Sequence, residues 1–429
     1  MKGTGTIPCS NRTATRSPLV KWTAGKRTPS ATAPMRCGNS SPDVLTEDWQ
    51  SGGFGLYIHW PFCQTKCPYC DFNSHVQAHI DQSRWQRAYL AEIDRIGALT
   101  RGRALNTVFF GGGTPSLMDP EVVDAILTRV RETWPLANDA EITLEANPGS
   151  VEAGRFRGYA QAGVNRVSMG IQALNNADLR RLGRLHSVEE ARAAFDIARN
   201  AFERVSFDLI YARQDQRLSD WQAELREALS MAVDHLSLYQ LTIEQGTAFG
   251  DRYNRGGLKG LPDDDLSASM YEATQEICDA AGMPAYEVSN HARPGAESRH
   301  NLIYWRYGDY AGIGPGAHGR LTLNGQRIAT AAHKMPGLWL EAVDHATPDV
   351  DAETIPPEEQ ATEFLLMNLR LAEGLDMARY ERIAGHPLPA PAVTELVELG
   401  MVEVTGDRLT VTDQGRPVLN AILRKLLGA

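Results

Sequence analysis

Between residues 56 and 244, six short runs of β-branched and aromatic residues alternate with longer stretches in which apolar positions recur at helical spacing. The runs are Leu56–Trp60, Thr107–Gly111, Glu141–Ala146, Arg166–Gly170, Val205–Tyr211 and His235–Thr242. Between them lie Trp85–Leu99, Glu121–Thr133, Val151–Gln161, Val188–Ala201 and Ser219–Met231, all with helical period. Such alternation predicts parallel strands joined by right-handed crossovers. The count and spacing predict an α/β fold, a partial (β/α)6 barrel over residues 53–245. In such barrels chemistry gathers at the C-terminal ends of the strands, and the unusual residues fall there. A cysteine cluster follows the first run, Gly111-Gly112-Gly113-Thr114-Pro115 the second, and Glu145-Ala146-Asn147-Pro148 the third. Gly170-Ile171-Gln172 closes the fourth run, and Asp208 sits in the fifth.

Beyond residue 245 the pattern weakens. Residues 246–350 carry Gly- and Pro-rich turns, one helix near Leu266–Ala281, and the segments His300–Trp305 and Gly312–Gly319. Residues 354–429 predict a small separate domain, with helices at Glu359–Ala372 and Ala392–Leu399. A hairpin of Met401–Val404 and Leu409–Thr412 follows, then a last helix from Arg416 to Leu427. This order is that of a winged helix. Its eleven acids against seven bases favour an accessory packing role over DNA binding.

The chain has 429 residues, 42% of them apolar and 22% charged, enough to bury a core in more than one domain. No apolar run approaches the ~18 residues of a membrane-spanning helix. The formal charge of −10 argues against nucleic-acid binding as the main role. That charge is uneven: Lys2, Arg12, Arg16, Lys21, Lys26, Arg27 and Arg36 stand in residues 1–42 without one acid, so the rest is more acidic still. Residues 1–52 are rich in Ser, Thr, Gly and Pro, lack any period, and are expected to be a disordered leader. Without an apolar segment they are no secretory signal. A transit peptide and a start codon further downstream, near Met35 or just before Glu47, are the other readings, and the misplaced start is preferred.

Of six cysteines, Cys9 and Cys37 lie in the leader and Cys278 in a helical stretch that suits a buried small hydrophobe. The other three form Cys63-Gln-Thr-Lys-Cys67-Pro-Tyr-Cys70. Three thiolates at spacings of four and three can hold three corners of an iron–sulfur cluster and leave one iron open. Zinc normally takes four ligands, which His59, His75 or His79 could complete.

The CxxxCxxC spacing followed by GGGTP resembles the radical S-adenosylmethionine (SAM) superfamily. There the open iron of a 4Fe-4S cluster binds the amine and carboxylate of SAM, and an electron from the cluster can cleave it to a 5′-deoxyadenosyl radical. Leu56-Tyr57-Ile58-His59-Trp60-Pro61-Phe62-Cys63, with Cys70-Asp71-Phe72, is similar to one branch of it. That branch holds oxygen-independent coproporphyrinogen III oxidase and the heme chaperones of the HemW type, and the match runs from residue 55 to the end. The resemblance implies that Cys63, Cys67 and Cys70 hold the cluster and that Tyr57 and Tyr69 flank it and SAM. It places Gly112, Gly113 and Thr114 at the methionine end, and gives SAM contacts to Glu145, Gln172, Arg184 and Asp208. The oxidase has a further Cys where this chain has Phe72, a departure that matches the chaperones. His300-Asn301-Leu302-Ile303-Tyr304-Trp305 is the HNxxYW motif of that side, with an imidazole able to ligate heme iron and Tyr304 and Trp305 as flat surfaces for a macrocycle. His318, in Gly314-Pro315-Gly316-Ala317-His318, matches a loop near SAM in the oxidase. Gln214-Asp215 replaces the branch's usual Pro-Gly, so no functional residue is carried over from that loop. The function implied is that of a heme chaperone carrying a 4Fe-4S cluster and SAM, with heme as cargo. Heme-acceptor proteins of the respiratory chain are the implied partners, with transient membrane association and a cytoplasmic location. The alternative is the oxidase, decarboxylating coproporphyrinogen III.

Overall fold

In the computed structural model, residues 48–150 and 153–428 are described. The strands, in chain order, are β1 (Phe54–Trp60), β2 (Phe62–Cys63), β3 (His75–Val76), β4 (Leu105–Gly112), β5 (Leu136–Ala146), β6 (Arg166–Gln172), β7 (Arg204–Tyr211) and β8 (His235–Gln240). They continue as β9 (Asn290–Ala292), β10 (Asp309–Ile313), β11 (His318–Leu323), β12 (Gln326–Ala332) and β13 (Asp349–Thr354). Apart from β2 and β3, which pair with each other, these form one sheet of eleven strands in the order β13-β12-β11-β10-β1-β4-β5-β6-β7-β8-β9. All six expected strands stand in it as parallel neighbours, each within a few residues of its predicted ends. The sequence pattern missed a seventh parallel strand, β10, which joins the free edge of β1 and leads into the antiparallel β11, β12 and β13. The sheet ends at β13 and β9 and does not close.

The crossovers are helices. The first three are α1 (Gln82–Leu99), α2 (Pro120–Thr133) and α3 (Ala153–Ala162). Asp81 caps α1 by accepting from the Arg84 amide, and Pro120 opens α2, where a missing N–H costs nothing. Alternation along β1 sorts its residues. Leu56, Ile58 and Trp60 join the main core, where Trp60 packs edge-on to Trp85 of α1, while Tyr57 and His59 face the opposite side. That other side of β1 and β4 takes the short helix Arg299–Trp305, which contains the HNxxYW motif.

The C-terminal residues build a second core around Phe364, Leu365, Leu375, Leu409 and Ile422. The expected hairpin is present, and Leu375–Asp376 adds a third strand to it, which the sequence pattern did not disclose. The helix expected at Glu359–Ala372 runs Pro357–Asn368. Charged pairs fasten this module to the sheet: Arg320 on Glu363 at 2.9 Å and Arg379 on Asp48 at 2.7 Å. Asp48–Ser51 form a short 3-10 turn and Trp49 is buried with the Arg103 guanidinium over its ring. Residues 48–52 therefore depart from the disorder expected of 1–52: Trp49 brings apolar surface to the core and Asp48 a charge to the Arg379 pair. The remainder of the leader, with Cys9 and Cys37, lies outside the described residues. Among these, no helix is long and apolar enough to cross a membrane.

Candidate cluster and SAM site

The cysteine loop leaves β1 at its C-terminal end and returns at β3. Phe62 and Cys63 pair with His75 and Val76, so a two-strand clip closes the loop at its base. Asn73 holds its far side: the side-chain amide donates to the carbonyls of Pro315 (2.9 Å) and Lys334 (2.8 Å). The three cysteines are free thiols, each partly buried. Two donors already reach their sulfurs, Thr114 Oγ1 to Cys63 at 3.5 Å and Arg184 Nη1 to Cys67 at 3.4 Å. Donors of this kind stabilise thiolate charge and tune an iron–sulfur cluster.

One cavity brings the strand ends together. Cys63, Cys67 and Cys70 line it, and so does every residue expected at SAM except Tyr57. Gly112 and Gly113 leave room where nothing else fits. A Cβ on Gly112 would come within 2.6 Å of the His59 ring, and its φ of +112° suits glycine; on Gly113 it would meet the Phe62 carbonyl at 2.5 Å. Gln172 carries a positive φ of 76°, an uncommon conformation for a residue with a side chain, at the point where its strand enters the cavity.

The electrostatics single out two carboxyls. Glu145 is buried and accepts from the Gly112 amide at 3.2 Å; burial, and then the charge of Asp208, push its pKa up to about 8. Asp208 is raised to about 6 by burial, against the hydrogen bonds of Ser237 and Ser168. Two buried carboxyls that repel each other are a receptor for a cation. The amino and sulfonium groups of SAM are cations, and three sulfurs on one loop match three corners of a 4Fe-4S cluster, so the residues fit both groups. Zinc fits less well: both ring nitrogens of His59 are engaged, with Tyr57 OH (3.0 Å) and the Asn73 carbonyl (2.9 Å), and His75 contacts Asn73.

Tyr57 departs from expectation. It lies across Gly111 and lines a second cleft, of about 440 Å³, that adjoins the first along Phe72, Ser74 and Gly112. Tyr304, Trp305 and His318 line this second cleft as well. His300 lines neither. It is fully buried, its Nδ1 2.7 Å from Thr107 Oγ1 and its Nε2 2.7 Å from Tyr304 OH, with Phe109 stacked on its ring at 4.9 Å. Burial lowers its pKa to about 3. Of the expected heme residues, His300 is thus the one that opens onto neither cavity, and both its nitrogens serve the protein. The histidine pins its helix to β4, while Glu141 accepts from the backbone amides of Arg299 and His300 at the helix start. Sequence reasoning also missed Arg320, Leu366, Met367 and Arg370, which complete the second cleft. They stand in no motif, and nothing in their local pattern could have found them.

Comparison with known proteins agrees with this geometry. The radical SAM superfamily matches residues 57–227, and the HemN C-terminal domain matches residues 355–418. The Escherichia coli heme chaperone HemW is 39% identical over 382 residues, 87% of this chain and 97% of that protein. The bovine mitochondrial radical S-adenosyl methionine domain-containing protein 1 is 36% identical over 388 residues, 87% of each chain. In fold, the chain is similar to the E. coli coproporphyrinogen III oxidase HemN, a radical SAM enzyme, with a TM-score of 0.74 and 22% identity over 90% of this chain and 95% of that one. The chain belongs to the HemW family of the radical SAM superfamily.

Proposed function

We propose that this protein is a heme chaperone, which binds one heme and passes it to heme-requiring proteins, those of the respiratory chain among them. Membership in the radical SAM superfamily implies a 4Fe-4S cluster and SAM. Cys63, Cys67 and Cys70 would hold the cluster, and Glu145, Asp208 and the glycine backbone at 112–113 would hold SAM. When bound, the cluster would be able to supply an electron to SAM. The protein's own groups do the rest: Thr114 and Arg184 donate to the cysteine sulfurs, and the buried carboxyls orient a cationic ligand.

The observation that carries the cargo reading is the second cleft. It is separate from the cysteine cavity, shares a wall with it, and at about 440 Å³ falls within the ~300–1,000 Å³ of small-molecule sites. Relatives named as heme chaperones match along nearly their whole length, and Phe72 stands where the oxidase has a cysteine.

The fold likeness to HemN and the SAM-site residues gathered in the first cavity favour a second reading, oxidative decarboxylation of coproporphyrinogen III. Anaerobic incubation of the reconstituted protein with that substrate, SAM and a reductant separates the two. The chaperone reading expects a stable hemin adduct and no protoporphyrinogen. Turnover to protoporphyrinogen would replace it with the oxidase, and failure to take up hemin would end it.

A further inference from the structure

The second cleft opens between the sheet and the helix Pro357–Asn368. Its chemistry is divided. Tyr304 and Tyr310, in edge contact at 4.5 Å, stand on the sheet side, and Leu366 and Met367 come from the C-terminal module. Flat apolar walls of this kind suit a macrocycle.

Three histidines line the cleft: His59, His75 and His318. His59 is committed at both nitrogens, as described above. His75 contacts Asn73 Oδ1 at 3.3 Å. His318 alone has no hydrogen-bond partner among the described residues. It is the first residue of β11, where pairing with Ala331 fixes its backbone, so its direction is set by the sheet rather than by a loop.

The cations are divided in the same way. Arg320 is paired with Glu363, and Arg327 with Asp309. Arg370 forms no ion pair among the described residues, and the buried Glu287 acts on it only through space. The guanidinium donates to the Leu366 carbonyl within its own turn, and its Nε has no partner. Burial lowers its pKa to about 10. A desolvated guanidinium that no carboxylate touches is unfavourable, and an arriving carboxylate would relieve it with two parallel hydrogen bonds.

We propose that the cleft seats heme with His318 as the ligand to iron and Arg370 as the anchor of one propionate. The inference rests on the heme reading and deepens it by naming the residues. An unpartnered imidazole, a guanidinium without an ion pair and flat apolar walls in one cleft answer the three chemical features of heme: iron, carboxylates and macrocycle. Imidazole nitrogen is a common axial ligand of heme iron.

Hemin is titrated anaerobically into the cluster-loaded full chain, and difference spectra and electron paramagnetic resonance report the iron's ligand. His318→Ala is expected to lose the ligand signature of the parent and regain it on addition of free imidazole. His318→Met is expected to convert it to a thioether-type spectrum, and His300→Ala to retain the parent's. Arg370→Gln is expected to weaken hemin binding roughly tenfold, the worth of a charged hydrogen bond. It should leave binding of hemin dimethyl ester, which lacks free propionates, unchanged. Retained cluster absorbance reports that each variant is folded. A His318→Ala spectrum superimposable on the parent's overturns the iron assignment. Equal weakening of hemin and its ester, or of neither, overturns the anchor. A parent that takes up no hemin instead overturns the heme reading itself.

Discussion

The two adjoining cavities are built in opposite ways. The cysteine cavity takes its residues from the ends of successive parallel strands and the loops that follow them, so each contributor sits in a short motif and the barrel repeat delivers it. The second cleft draws on the cysteine loop, the helix Arg299–Trp305, the antiparallel extension and the C-terminal module, which meet only because the sheet and the second core dock. A cavity assembled by a repeating fold is sturdy and local. A cavity assembled by docking depends on the ion pairs that fasten its parts, and it is where motions of one module could be felt by the other.

The largest effect expected from this contrast is in the cysteine loop. Cys67→Ala should abolish cluster retention, read as iron per chain and the loss of visible absorbance after reconstitution. Hemin affinity should stay within about twofold, since the second cleft keeps all its walls. A joint loss would show that the cavities fold as one.

Next comes the clamp beneath the cleft. Asp309 is fully buried and accepts from Arg103 at 2.7 Å, from Arg327 at 2.9 Å and from Thr322 Oγ1 at 3.0 Å. Asp309→Ala leaves a buried arginine unpaired and should cost about 3–5 kcal/mol in urea unfolding. Hemin uptake should suffer more than cluster retention. The reverse order would mean that β10 supports the cysteine cavity rather than the cleft.

A smaller effect is expected from pH. Glu145 keeps its proton to about pH 8 when folded and releases it near 4.5 when unfolded. Between those values the folded state binds more protons, so unfolding free energy falls as pH rises and levels off above about 8. Asp208 adds the same sign between 3.8 and about 6. Buried histidines held below their usual pKa, His59, His186, His291 and His300 among them, carry the opposite sign up to about 6.5, so the carboxyl effect is read above it: without SAM, Glu145→Gln should flatten the fall in melting temperature between pH 6.5 and 8. Parallel slopes for the two proteins would show that Glu145 ionises normally.

The smallest is Thr114→Val, which removes the hydroxyl donor to Cys63 and keeps the shape. The midpoint of the cluster's reduction should move negative by roughly 40 mV, the one-electron equivalent of a ~1 kcal/mol hydrogen bond. An unchanged potential would mean that the hydroxyl does not reach the sulfur in the loaded site.

Much of the first cavity was legible because its signals are local. Spacing alone brought Cys63, Cys67 and Cys70 together, and period alone placed Gly112, Glu145 and Gln172 at strand ends and Asp208 within a strand. Arg184 lies outside any strand, and resemblance supplied it. Tyr57 was also supplied by resemblance, and neither resemblance nor alternation tells which of two neighbouring cavities a residue lines. The surroundings of His300 were not legible, because a histidine in a motif looks the same whether it lines a cavity or pins a helix; the difference lies in Thr107, Phe109 and Tyr304, far apart in the chain or not known to face it.

By itself, then, the sequence determined the parallel α/β core, the cysteine loop and the carboxyls beside it, because hydrophobic period and motif spacing act over a few residues. Only the tertiary structure decided that β10 extends the sheet, that Trp49 belongs to the core, and that His318 and Arg370 share a cleft. Those relations depend on which surfaces dock, and docking is fixed by burial and charge pairing between segments dozens to hundreds of residues apart, such as Asp48 with Arg379. No local pattern carries that information.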